Sequence, residues 1–272
     1  MSESVECMEN INIEKKNQSI FDRGIVRALV VRELLRLKSD TIRWASMISQ
    51  PILFWLILGK VFGTNWVVGG VSYSQYFFPG TLLMIILFTS IGATMSLIED
   101  RQSGFFQTVL IAPGKKMYVV LGKVLGITAI TFVPVAIVMF LAPYAGLSFS
   151  KLYSPLFLLA VFLNSVTLAS MGFSLAWLVK STQAYHSVMS VLFIPLWALS
   201  GAIYPVKGEI MELVNKFNPM SYGIVLLRKT LESNSSISTF PLSSLLSLLL
   251  IASFFISLAT FLCYRIRRNI HE

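Results

Sequence analysis

Charge is what this sequence has least of. Asp, Glu, Lys and Arg make up 13% of the 272 residues, about half the share of a soluble domain. Hydrophobic residues reach 55% and the mean hydropathy is +0.73, more apolar surface than a soluble fold of this size can cover. Cysteine is nearly missing: Cys7 and Cys263 stand at opposite ends, which argues against a disulfide framework and against metal-ligand spacing. Phosphate-loop spacing is missing too, because Gly114-Lys115 and Gly122-Lys123 lack a first glycine at the required distance and a following Ser or Thr. Neither a His-Glu-x-x-His stretch nor a Gly-x-Ser-x-Gly elbow occurs. The chain therefore has no evident means of hydrolysing ATP or of covalent catalysis. Acids are also missing from the long apolar runs, which removes the usual coupling group of a proton- or sodium-driven carrier.

What is present is a series of apolar runs about 20 residues long, the length needed to cross a bilayer as helix. Six emerge: Arg43 to Phe62, Tyr76 to Ile98, Tyr118 to Ala142, Tyr153 to Val179, Tyr185 to Tyr204 and Pro241 to Tyr264. Gly63 to Gln75 reads as a loop, and Pro134 bends the third span. With the N-terminus inside, sixteen of the 22 Lys and Arg fall on the cytoplasmic side. That count includes Lys123, which snorkels from the start of span three, and the bias places both termini in the cytoplasm. Residues 1–18 form a polar, disordered cytoplasmic tail with no signal-peptide core, and 265–272 form a second cytoplasmic tail. Between the first tail and span one, 19–42 reads as a helix lying along the membrane, with Val26, Val30, Leu34 and Leu37 on its apolar stripe. The fold class expected is an all-α membrane protein: that interfacial helix, a six-span domain over 43–264, and an outer hairpin before the last span.

Two loops carry most of the information. After span two, Glu99, Asp100, Arg101 and Gly104 precede Phe105, Phe106, Val109 and Leu110, an apolar helical pattern stopped by Pro113. Such a face on the cytoplasmic side invites a protein partner, with Phe106 and Leu110 the members best placed to pack on the spans instead. After span five, Glu209 to Phe217 forms one short helix, Asn218-Pro219 breaks it, and Met220 to Leu231 is too short to span, which suits a re-entrant or interfacial hairpin. On span four, Asn164, Thr167 and Ser170 share a side. They are candidates for lining a substrate path, although such groups more often bond their own or a neighbouring helix.

These residues resemble the permease subunits of type-2 ABC exporters, of the drug, lipo-oligosaccharide and polysaccharide export branches. Asp100, Arg101, Gly104, Leu110 and Pro113 match their acid-Arg-acid-x-Gly-Thr loop and following helix, with Phe105 in place of Thr and Gln102 in place of an acid. Phe78-Pro79-Gly80 precedes them, and Gly122-Lys123, Ser200-Gly201 with Pro205, and Asn218-Pro219 with Tyr222 and Arg228 follow in order. The resemblance implies a homodimer, or a pseudo-dimer with a related permease, in the bacterial cytoplasmic (inner) membrane. It further implies a separate cytoplasmic ATP-binding subunit that carries ATP and magnesium, and an outer gate of Pro205, Asn218, Pro219, Tyr222 and Arg228. This chain itself would bind no cofactor, metal or nucleic acid. The substrate would be amphipathic, lipid-linked or drug-like. A non-transporting membrane scaffold and an ion-coupled carrier are the competing readings.

Overall fold

The computed structural model describes residues 22–36, 39, 41–62, 66–106, 109, 115–148, 154–206, 208–232 and 241–271. The polar tail expected over 1–18, and Leu37, Leu110 and Pro113, lie outside the described residues. Helix α1 covers 22–36 and α2 covers Thr41–Phe62. A two-residue antiparallel ladder follows, β1 (Val67–Val68) with β2 (Val71–Ser72). Its turn is Gly69-Gly70 at φ 59° and 85°, the positive pair that the tightest hairpin turn demands.

Ser72 then caps α3 (Tyr73–Gln102), its hydroxyl accepting from the Gln75 N–H at 3.4 Å. Gly104, at φ 76°, ends the turn after α3 in the left-handed conformation that glycine tolerates best. Helix α4 (Lys116–Met139) carries Pro134 inside, and a single 3₁₀ turn, Ala142–Ala145, with Pro143 near its start, closes it off. Helix α5 (Pro155–Leu178) starts on proline, whose missing N–H costs nothing at a helix start.

Helix α6 runs Thr182–Ala202 and contains two π stretches, Met189–Phe193 and Ala198–Ala202. Pro195, which has no N–H to give, lies between them, and Gly201 turns to φ 85° in the second. Two short helices, α7 (Glu209–Phe217) and α8 (Pro219–Leu231), form the expected hairpin, and α9 runs Leu242–His271. The last helix continues past Tyr264, into the stretch where the sequence places the second tail.

Helix α3 is the centre of the molecule: 94% of its apolar window is buried, against 11% for α2 and 17% for α9. Helices α2, α4, α5 and α8 pack around it, and α9 packs on α5 and α8. The amphipathic stripe on α1 is rotated from its expected position. Leu29 and Glu33 face the protein, Val26 and Val30 are half-buried, and Leu34 is exposed.

Candidate functional site

Helix α1 approaches α4 closely because α4 presents glycine there. A Cβ added at Gly122 would sit 3.1 Å from the Val26 Cα, and one at Gly126 would sit 3.0 Å from the Glu33 Cγ. The spacing Gly122-x-x-x-Gly126 is the small-residue pattern that lets apolar helices touch through their backbones. This contact delivers Glu33 to the interior, beside Lys123 of α4.

Lys123 does not snorkel. It is buried, and its ammonium donates to Glu33 Oε1 at 2.5 Å, to Asp100 Oδ2 at 3.0 Å and to Ser96 Oγ at 3.2 Å, which uses all three of its hydrogens. Asp100, near the end of α3, is filled as completely. Oδ1 accepts from Arg32 Nη2 and Arg36 Nη2, both at 2.6 Å, while Oδ2 accepts from Arg32 Nη1 at 2.7 Å and from Lys123. Ser96 completes the ring by donating to Glu33 Oε2 at 3.4 Å. Hydrogen bonding to Asp100 raises the Arg32 guanidinium above its ordinary value. Three cations and two carboxylates from α1, α3 and α4, with Ser96 between them, therefore form one closed network. The expectation that the chain buries no carboxylate is corrected here, since Glu33 and Asp100 are 2% and 1% exposed. Their partners come from distant segments, so no local apolar run contains them.

The loop after α3 is attached to the network through Phe105, whose ring lies 3.9 Å beneath the Arg32 guanidinium and stays 38% exposed. Phe106 turns inward against Trp177, with ring centroids 5.3 Å apart. Val109 is half-buried. Arg101 points away from the cluster and caps α5, donating to the carbonyls of Ala176 at 2.8 Å and Val179 at 3.2 Å. Glu99 instead borders a cavity of about 600 Å³ between α2, α3 and α6, together with Met47, Phe88, Met95 and His186.

At the opposite end of α3, the hairpin helices hold the irregular part of α6 by its loosened carbonyls. Asn218 donates to Leu196 O at 2.6 Å, Asn215 to Leu199 O at 3.1 Å, and Arg228 and Tyr76 both to Gly201 O at 3.0 Å. Tyr73 reaches Ile203 O at 3.1 Å. Asn218 also caps α8 through the Met220 N–H, Pro219 is its first residue, and Tyr222 donates to Lys216 O. Pro205 lines a different cavity, of about 490 Å³, together with Arg228 and Tyr222. Asn164, Thr167 and Ser170 are all buried, bonded to carbonyls of their own helix, and Asn164 and Thr167 also reach Gly223 O of α8 and Leu248 O of α9 at 3.4 Å. Among the described residues no group of His, Cys, Asp and Glu could hold a metal ion.

The family model described as ABC-2 type transporter matches residues 25–231, from within α1 to the end of α8. The chain belongs to this family. Both the charge network and the hairpin contacts fall inside the matched stretch. Among curated proteins, the chain is similar to three transport permeases named ycf38. That of Cyanophora paradoxa is 26% identical over 237 residues, covering 81% of each chain. Those of Porphyra purpurea and Pyropia yezoensis are 22% and 21% identical, covering 75% and 73% of this chain and 72% and 71% of theirs. With six helices long and apolar enough to cross a membrane, this ABC-2 chain is a multi-pass transport permease, and membership implies an ATP-binding partner subunit. The residues that sequence reading missed are Arg32, Glu33, Arg36 and Ser96, together with the true role of Lys123. The glycine pair four apart was the signal for them.

Proposed function

We propose that this permease is the membrane half of an ATP-driven exporter, working as a dimer with two copies of a separate cytoplasmic ATPase. One observation carries the reading: Asp100 ties α1, α3 and α4 together at the end of the bundle where the Arg32–Phe105 contact meets the exposed loop. A push on that loop is transmitted to three helices at once rather than absorbed by one. The ATPase would engage Phe105 and the exposed face of α1, and its closure would drive the pair of permeases between inward-open and outward-open states. Weakly buried α2 and α6 flank the cavity beside Met47, Phe88 and Met95, so this is the face offered to the second copy and to an amphipathic or lipid-linked substrate. Residues around Asn218, Pro219, Tyr222 and Arg228 would close the outer end. An ion-coupled carrier fits less well, because every oxygen of Glu33 and Asp100 accepts from a cation or Ser96.

The test is reconstitution in vesicles with the partner ATPase. Transport should require hydrolysable ATP, survive collapse of the proton gradient, and be retained by His186→Ala. Phe105→Asp should insert normally yet lose ATPase binding or substrate-stimulated hydrolysis. Accumulation driven by a pH gradient in vesicles holding this chain alone would overturn the reading.

A further inference from the structure

Where α3 begins, far from the charge network, another cavity of about 690 Å³ lies between the β1–β2 hairpin and α8. Its walls are mainly apolar, with Trp66, Val68 and Leu147 among them, and among the described residues its polar side chains are Gln75, Tyr76, Arg228 and Glu232. The volume is that of a small-molecule site rather than of a packing defect.

Arg228 is the unusual member. Its guanidinium lies 4.1 Å over the Tyr76 ring, and Nη2 donates to Gly201 O, but Nε finds no acceptor among the described residues. Burial lowers its affinity for the proton, although an arginine keeps its charge under any ordinary condition. Glu232, on the cavity wall, lends its charge to the guanidinium but is shared, pairing with Lys229 at 2.8 Å. A partly buried guanidinium whose Nε has no acceptor, and whose neighbouring carboxylate is shared with Lys229, favours a further anion. The nearby Glu232 limits how much negative charge the cavity accepts, which selects a singly charged phosphodiester over a doubly charged phosphomonoester. Apolar walls ending in an exposed Trp66, an amphipathic ring of the kind that favours a membrane interface, favour an occupant that carries hydrocarbon.

We propose that this cavity binds a glycerophospholipid, its phosphodiester on Arg228 and Gln75 and an acyl chain along Trp66, Val68 and Leu147. Arg228 is also the side chain that fastens α8 to the π stretch of α6, so occupancy would stiffen this end of the bundle. The proposal does not depend on the energy source or direction of transport.

The test uses the full chain in detergent, stripped of lipid and titrated with a short-chain phosphatidylethanolamine, with bound lipid counted by native mass spectrometry. Two variants are compared after their helix content is verified: Arg228→Gln removes the charge, and Val68→Trp fills the cavity without touching Arg228. Binding should weaken roughly ten-fold or more in each, the scale of a lost charge-assisted hydrogen bond. Diacylglycerol of the same chain length should bind the wild type no better than it binds Arg228→Gln, and inorganic phosphate at equal concentration should not displace the lipid. Unchanged lipid binding in Val68→Trp would overturn the proposal, even if Arg228→Gln failed to fold. Equal binding of diacylglycerol would overturn the headgroup assignment, and displacement by inorganic phosphate would reduce the site to a simple anion site.

Discussion

Asp100 is the residue on which the charge network converges. Four hydrogen bonds from Arg32, Arg36 and Lys123 fill its oxygens. Removing one member of a buried ion pair leaves the others uncompensated and typically costs about 3–5 kcal/mol. Asp100→Asn should therefore lower the thermal midpoint of the detergent-solubilised protein far more than Arg101→Gln, which loses the cap on α5 and the contact with the Trp177 ring. A second comparison separates charge from packing. Pairing Glu33→Gln with Lys123→Met should cost less than the two single changes added together, since the pair removes both opposite charges. Additive losses would show that Lys123 and Glu33 are not coupled. Phe105 and Phe106 divide their work as the sequence suggested, because residues adjacent in a helical pattern cannot face the same way: one lies exposed under Arg32, the other packs on Trp177.

Among the elements, α1 depends on the two glycines of α4. Gly126→Leu should force α1 away, because a Cβ there already meets Glu33 at 3.0 Å and the Val30 Cα at 3.3 Å. Spin labels placed at Gly24 and Met117, in a background without Cys7 and Cys263, should give a narrow distance distribution in the parent and a broad one in Gly126→Leu. An unchanged distribution would mean that another contact seats α1. The six spans were legible because a bilayer demands long uncharged runs, and composition reports such runs directly. The hairpin helices were legible for a similar local reason, since Asn218-Pro219 both breaks one helix and starts the next. The charge network was not. Glu33, Asp100 and Lys123 belong to three segments, and pairing between segments leaves no periodic trace in any of them. Lys123 alone, one turn or so inside an apolar run, has the same local appearance whether it snorkels or meets a buried carboxylate. The π stretches of α6 were equally hidden: Pro195 marks a disturbance but not how the carbonyls around it are satisfied.

At the scale of the whole molecule, the charge network and the hairpin cap lie at opposite ends of α3, a helix of 30 residues and so about 45 Å long. That length exceeds the roughly 30 Å hydrocarbon core of a bilayer, so both ends reach polar surroundings. If the bias of Lys and Arg sets the orientation, the network faces the cytoplasm. Cysteine labelling of intact cells with a membrane-impermeant reagent should then modify Ser72→Cys and spare Ser103→Cys. The reverse pattern would invert the molecule and move the proposed ATPase contact to the wrong side.

The network also imposes an order on synthesis. Glu33 and Lys123 are 90 residues apart in the chain, and at about 5–20 residues per second a ribosome takes roughly 5–18 s to travel between them. Throughout that interval α1 has been made while its ammonium partner has not, and Asp100 arrives only late in it. Arg32 and Arg36 can meet Asp100 once α3 is made, but Glu33 gains its partner and α1 its full seat only when α4 brings Gly122, Lys123 and Gly126 into place. A chain cut short before residue 123 therefore leaves the Glu33 carboxylate without its ammonium and Asp100 without one of its three cations.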